Sequence, residues 1–139
     1  MKSIVSQAAK QIRDLLKKEF PNVKFTVKSD NYSNGNSIRV GYTNFLPIEK
    51  ITEKIKHYQY GEFNGMEDIY ECSNCIENLP QTKYLFVERA MSEEVKIQIL
   101  NEIRTTYKDC ENVNYEDYSN NFHEWISTLV YRIFYKNSY

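Results

Sequence analysis

Ile4, Val5, Ala8, Ala9, Ile12, Leu15, Leu16 and Phe20 recur at three- and four-residue spacing, with Lys10, Arg13, Asp14, Lys17 and Lys18 on the other side. That period predicts an amphipathic helix. Pro21 should end it, because proline restricts the residue before it and offers no backbone donor. Residues 24–28 and 37–43 each alternate polar and apolar side chains, and the turn-rich stretch 29–36 separates them, so the pair reads as a β-hairpin with a long tip. Pro47 and the stripe Ile48, Ile51, Ile55 and Tyr58 predict a second helix closed near Gly61. A short helical or irregular piece follows around residues 66–70, where Gly65 permits a bend and Phe63 and Met66 are expected to pin it to the core.

Residues 83–89, Lys-Tyr-Leu-Phe-Val-Glu-Arg, carry apolar character on both faces, which predicts a central third strand covered on both sides. Ser92-Glu93-Glu94 opens a helix whose stripe is Val95, Ile99, Leu100, Ile103 and Tyr107. Asn121 and Glu124 form a potential capping box for a last helix carrying Phe122, Trp125, Ile126, Leu129, Val130, Ile133 and Phe134. The element order α-β-β-α-(α)-β-α implies an α+β fold, a small, mainly antiparallel three-stranded sheet covered by helices.

A length of 139 residues suits one domain spanning 1–139, with residues 108–139 a helical extension packed on the core or swapped between subunits. No apolar run approaches the roughly 20 residues that cross a bilayer, and the N-terminus loses its apolar character too early for a signal peptide. The expectation is a cytoplasmic protein without a membrane partner. Three cysteines, an odd number, exclude a fully paired disulfide framework, and free thiols suit that compartment. The net charge of −1 conceals an asymmetry, +6 over residues 1–56 and −7 over residues 57–139. Such halves either offer a basic face to a polyanion or compensate each other internally.

Several blocks carry a family resemblance: residues 8–13 (AAKQIR), 20–27 (FPNVKFTV), 35–40 (GNSIRV), 58–66 (YQYGEFNGM) and 83–87 (KYLFV). Together they resemble the large polyvalent protein-associated domains of phages and conjugative elements, over roughly residues 5–92. The Tyr-Gly-x-Phe-x-Gly-Met element is the most specific part. The family more often has aspartate at Asn64 and Asp-Gly at Asn44-Phe45. The resemblance implies an origin in a mobile genetic element, phage or conjugative transposon, and brings no catalytic residues.

Among the residues themselves, Cys72 or Cys75 with His57 or His123 supplies the types for nucleophilic catalysis without a local signature. Cys72-x-x-Cys75 has the spacing of half a zinc site, but the second compact pair is missing. No enzyme activity, catalytic residue, metal, cofactor or small-molecule substrate is therefore expected. The leading expectation is an accessory or protein-interaction domain, with a protein partner or homodimer, since twelve tyrosines and seven phenylalanines exceed what one small core needs. The alternative is nucleic-acid binding by a basic face of the N-terminal half. Lys24, Lys28 and Arg39 would meet phosphates there, and Tyr58, Tyr60 or Phe63 would stack on bases. Against that stands the simpler reading that Tyr58 and Phe63 pack beneath their loop.

Overall fold

A computed structural model describes residues 3–64, 66, 69–107, 110–120 and 122–139, with residues 63, 64, 69 and 71 described by backbone alone. The chain forms two compact units, Met1–Tyr42 with Ile48–Glu88, and Thr43–Pro47 with Arg89–Tyr139.

The first unit opens with α1 (Ile4–Glu19), whose N-cap Ser3 accepts a hydrogen bond from the Ser6 N–H at 3.2 Å. Val5, Ala8, Ala9, Ile12 and Leu16 are buried, and the helix packs against β1. It stops just before Pro21, with the Phe20 N–H donating to the Leu16 carbonyl at 2.8 Å. Strands β1 (Thr26–Tyr32) and β2 (Gly35–Thr43) pair antiparallel from Thr26 opposite Gly41 to Tyr32 opposite Gly35. The tip is therefore Ser33 and Asn34 rather than the expected long loop. Gly35 adopts φ +150°, a backbone that side-chain-bearing residues rarely take, and so lets the ladder run to the turn. Val27, Ile38, Val40 and Tyr42 are buried.

Helix α2 (Ile48–Ile55) buries Ile51 and Ile55, and a 3-10 turn, Lys56–Tyr58, takes over from it. Its cap is Gln59, so the helical stretch ends before Gly61. Where a helical or irregular piece was expected, β3 (Glu62–Asn64) and β4 (Ile69–Glu71) form a small antiparallel hairpin. Met66 does not pin it, being 99% exposed. The expected bend at Gly65 and the side chain of Phe63 lie outside what is described.

Strand β5 (Tyr84–Ala90) completes a sheet of order β1-β2-β5, which makes β2 central and β5 an edge. Asn36 accepts the Lys83 N–H and Arg39 meets Glu88, so residue numbers rise together along β2 and β5 and the pair is parallel. The sheet is mixed, correcting the mainly antiparallel expectation. A parallel partner needs a long crossover, which α2 and the β3–β4 hairpin supply. The outer face of β5 is not covered, as Phe86 is 44% exposed. Its edge is blunted by the chain before it: the Leu85 N–H donates to Gln59 Oε1 at 2.8 Å, and Tyr58 and Tyr60 exchange backbone hydrogen bonds with Thr82.

In the second unit, α3 (Glu93–Thr106) is capped by Ser92, whose Oγ accepts from the Val95 N–H at 3.3 Å. Ile99, Leu100 and Ile103 of this helix pack with Cys110 and with Ile126, Leu129, Val130 and Phe134 of α4 (Ile126–Lys136). A two-residue hairpin, β6 (Tyr118–Ser119) and β7 (Glu124–Trp125), leads into α4. Glu124 belongs to β7 and pairs with Arg132 at 2.5 Å instead of serving a capping box, and Asn121 lies outside the described residues. The α4 N-terminus is held by the Asp117 carbonyl, which accepts from the Ile126 N–H at 2.8 Å. No helix among the described residues is long and apolar enough to cross a membrane.

Candidate functional site

Alternation along β5 sends Leu85 and Val87 to one face of the sheet and Tyr84, Phe86 and Glu88 to the other. On that outer face Lys28 of β1 lies directly opposite Arg39 of β2. The Arg39 guanidinium stands 5.4 Å from the Phe86 ring centroid and donates to Glu88 at 2.7 Å. Tyr84 lies nearly parallel to Phe86, at 13° and 6.2 Å, and Tyr70 meets Tyr84 edge-on at 5.4 Å. Tyr60 meets Tyr70 in the same way at 5.7 Å. Lys83 reaches over the Tyr70 and Tyr84 rings at 5.1 and 5.6 Å and donates to the Asn34 carbonyl at 2.9 Å. The result is a row of four aromatic rings with Arg39 at the Phe86 end and Lys83 over the two middle rings.

Of the residues expected to contact nucleic acid, Lys28 and Arg39 share this face, and Tyr60 reaches it half-buried. Lys24 is elsewhere, in a shallow groove with Arg13 and Lys17. Tyr58 is 6% exposed and donates to Gln11 Oε1 at 3.2 Å, so its ring presents no open face. Sequence reasoning missed Tyr70, Lys83, Tyr84 and Phe86. The even-numbered positions of β5 held the signal, but it becomes legible only once β5 is known to be an edge.

The aromatic row also sets the ionisation of its members. Burial, followed by the neighbouring Tyr60 and Tyr84 phenols, pushes Tyr70 up to about 12. Burial also raises Tyr58 and Tyr60. The neutral Tyr70 hydroxyl donates to the Lys83 carbonyl, tying β4 to the start of β5. A tyrosine raised in the fold contributes stability that is complete below its unfolded value of 10.0 and lost as pH climbs through about 12. Tyr70→Phe should therefore flatten the fall in stability across that alkaline window, while costing about 1 kcal/mol at neutral pH through the lost hydrogen bond. Urea unfolding at stepped pH checks this, and identical alkaline slopes for variant and parent would contradict it.

On the other side of β5 a cleft of about 530 Å3 has Ile48, Leu85 and Val87 among its apolar lining and Lys56, His57, Glu62 and Asn74 among its polar lining. Buried Gln81 braces one wall, donating to the His57 carbonyl at 2.7 Å and the Asn74 carbonyl at 2.9 Å. Cys72 and Cys75, expected as free thiols, are joined in a disulfide, and Cys110 is free and buried. With two residues between them, the cysteine Cα atoms lie 6.1 Å apart, within bonding range. Neither arrangement leaves an exposed thiol among the described residues for nucleophilic work.

In the second unit, Arg89 is 8% exposed and donates to four carbonyls: Asn44 and Phe134 at 2.7 Å, Phe45 and Asn137 at 2.9 Å. Its guanidinium lies 3.8 Å from the Phe134 ring centroid. The same segment is bound at Tyr139, which exchanges two backbone hydrogen bonds with Phe45 at 2.8 Å. Elsewhere in this unit Tyr115, Tyr131 and Tyr135 line a shallow groove of about 480 Å3, with Arg132 at its rim. Lys96 stands 4.3 Å over the Tyr115 ring. Trp125, 55% exposed, meets Tyr118 edge-on at 5.3 Å.

A family model described as large polyvalent protein associated domain 29 matches residues 4–108. The chain belongs to that family. The match starts with α1 and runs past the end of α3, further than the resemblance over residues 5–92, and it joins the aromatic row's two sources, residues 58–71 and 83–87, within one family domain. The β6–β7 hairpin and α4 lie beyond it. Asn44 and Phe45 take φ +57° and +61°. Glycine accepts that left-handed backbone freely and asparagine tolerates it, so Asn44 suits the bend better than Phe45 does. No curated protein matches the sequence, and no solved structure does.

Proposed function

We propose that this large polyvalent protein-associated domain is a noncatalytic accessory module of a mobile genetic element, phage or conjugative transposon, acting by holding a protein partner. The observation that carries the reading is the aromatic groove of the second unit. Tyr131 and Tyr135, exposed at 39% and 47%, sit one turn apart on α4 beside Tyr115 and Arg132. Exposed tyrosine, tryptophan and arginine are the side chains that most often dominate protein interfaces, because they bury much area for few rotatable bonds. The bonded Cys72–Cys75 pair and buried Cys110 support the noncatalytic part.

The test is to co-express the tagged full chain with the proteins of its element and map lysine crosslinks by mass spectrometry. Crosslinks from Lys96 and Lys136 to an element protein or to a second copy, lost in the double variant Tyr131→Ser/Tyr135→Ser, are the expected result. Crosslinks confined to the first unit, or unchanged in the double variant, would overturn it.

A further inference from the structure

We propose that the outer face of the β1-β2-β5 sheet in the first unit binds single-stranded nucleic acid, with Phe86 and Tyr84 stacking on bases and Lys28, Arg39 and Lys83 meeting phosphates. This surface shares no residue with the groove assigned to a protein partner. It also differs from the sequence-based set, since Tyr58 and Lys24 take no part.

Geometry and charge select this occupant. Adjacent strands lie about 4.8 Å apart, so the line Lys28, Arg39, Phe86 sets two cations beside a ring on the scale of a base and its phosphate. Phe86 and Tyr84 occupy alternate positions of one strand with nearly parallel rings, so successive bases have successive platforms. A duplex keeps its base faces stacked inside and offers these rings nothing, whereas a single strand exposes them. A peptide added as an extra strand beside Phe86 and Tyr84 would meet the start of the β5 edge already bonded, by Gln59 at Leu85 and by the backbone of Tyr60 at Thr82. Two anions share this face: Asp30, two residues along β1 from Lys28, and Glu88, which holds Arg39 in an ion pair whose side chains are 57% and 58% exposed. Exposed pairs of that kind are weak, so a phosphate can take the place of the carboxylate.

The experiment is fluorescence anisotropy of the full chain with labelled oligothymidylate, oligouridylate and a DNA duplex over a series of salt concentrations. The expected result is binding of one or both single strands in preference to the duplex, weakened by salt in proportion to the phosphates neutralised. Phe86→Leu, which keeps an apolar side chain on the face, should weaken binding about tenfold, the size of one lost base stack. Lys28→Ala should lower the salt slope by about one. Glu88→Gln should tighten binding roughly threefold by releasing Arg39; this change at an exposed residue stays informative even if Phe86→Leu disturbs folding. Tyr131→Ser should leave binding unchanged. Absence of binding, a preference for duplex, or equal affinity of Phe86→Leu and parent would overturn the proposal. So would a Phe86→Leu effect on crosslinks to an element protein with no effect on oligonucleotide affinity.

Discussion

Arg89→Met is expected to lower the unfolding free energy by about 3 kcal/mol, and Arg89→Lys to recover little of it. Methionine keeps the apolar stem and its contact with Phe134 but removes every donor. The carbonyls of Asn44, Phe45, Phe134 and Asn137 then lose a charged partner at 2.7 to 2.9 Å. Phe134 and Asn137 lie in the last turn and at the C-cap of α4, where unpaired carbonyls and the helix dipole both favour a cation. A lysine ammonium is a point charge and cannot fork to four acceptors spread around a planar guanidinium. Urea midpoints at constant slope measure the loss. A Met variant as stable as the parent would show that this network holds nothing.

Asn44→Ala should cost about 2–3 kcal/mol for two separable reasons. The Asn44 carboxamide accepts from the Ser92 N–H and donates to Ser92 Oγ, both at 3.0 Å, and Ser92 in turn caps α3. Its backbone sits at φ +57°, which asparagine tolerates and alanine does not. Three variants separate the terms. Asn44→Asp keeps an acceptor for the Ser92 N–H and should stay within about 1 kcal/mol of the parent. Asn44→Gly relaxes the backbone but loses the side chain, and should fall between Asp and Ala. If Gly and Ala were equally destabilising, the backbone term would be absent, and the side-chain contacts would account for the whole loss.

The long elements were legible because burial imposed a period on them. Ile12 and Leu16 in α1, Ile51 and Ile55 in α2, and Ile99 and Ile103 in α3 fall where a 3.6-residue repeat puts them, and all are buried. The β3–β4 and β6–β7 hairpins carried no such signal, being two or three residues per strand. The place of β5 was misread for a physical reason. Phe86 resembles a core residue in composition, yet an apolar side chain on an edge strand can stay solvated beneath an arginine stem. That error hid the aromatic row, although Lys28 and Arg39 followed from simple alternation. Arg89 was beyond reach from sequence, because nothing in Val-Glu-Arg-Ala distinguishes a buried guanidinium from an exposed one.

Apolar residues of α3 inside the family match pack against α4 outside it, and Arg89 inside the match caps a helix outside it. A fragment cut at residue 108 would bare Ile99, Leu100 and Ile103 together and should aggregate or cling to whatever apolar surface it meets. The stretch by which relatives are recognised is thus shorter than the stretch that must be inherited together. Any recombination that moves this domain between genes has to carry its last helix along or find it a substitute.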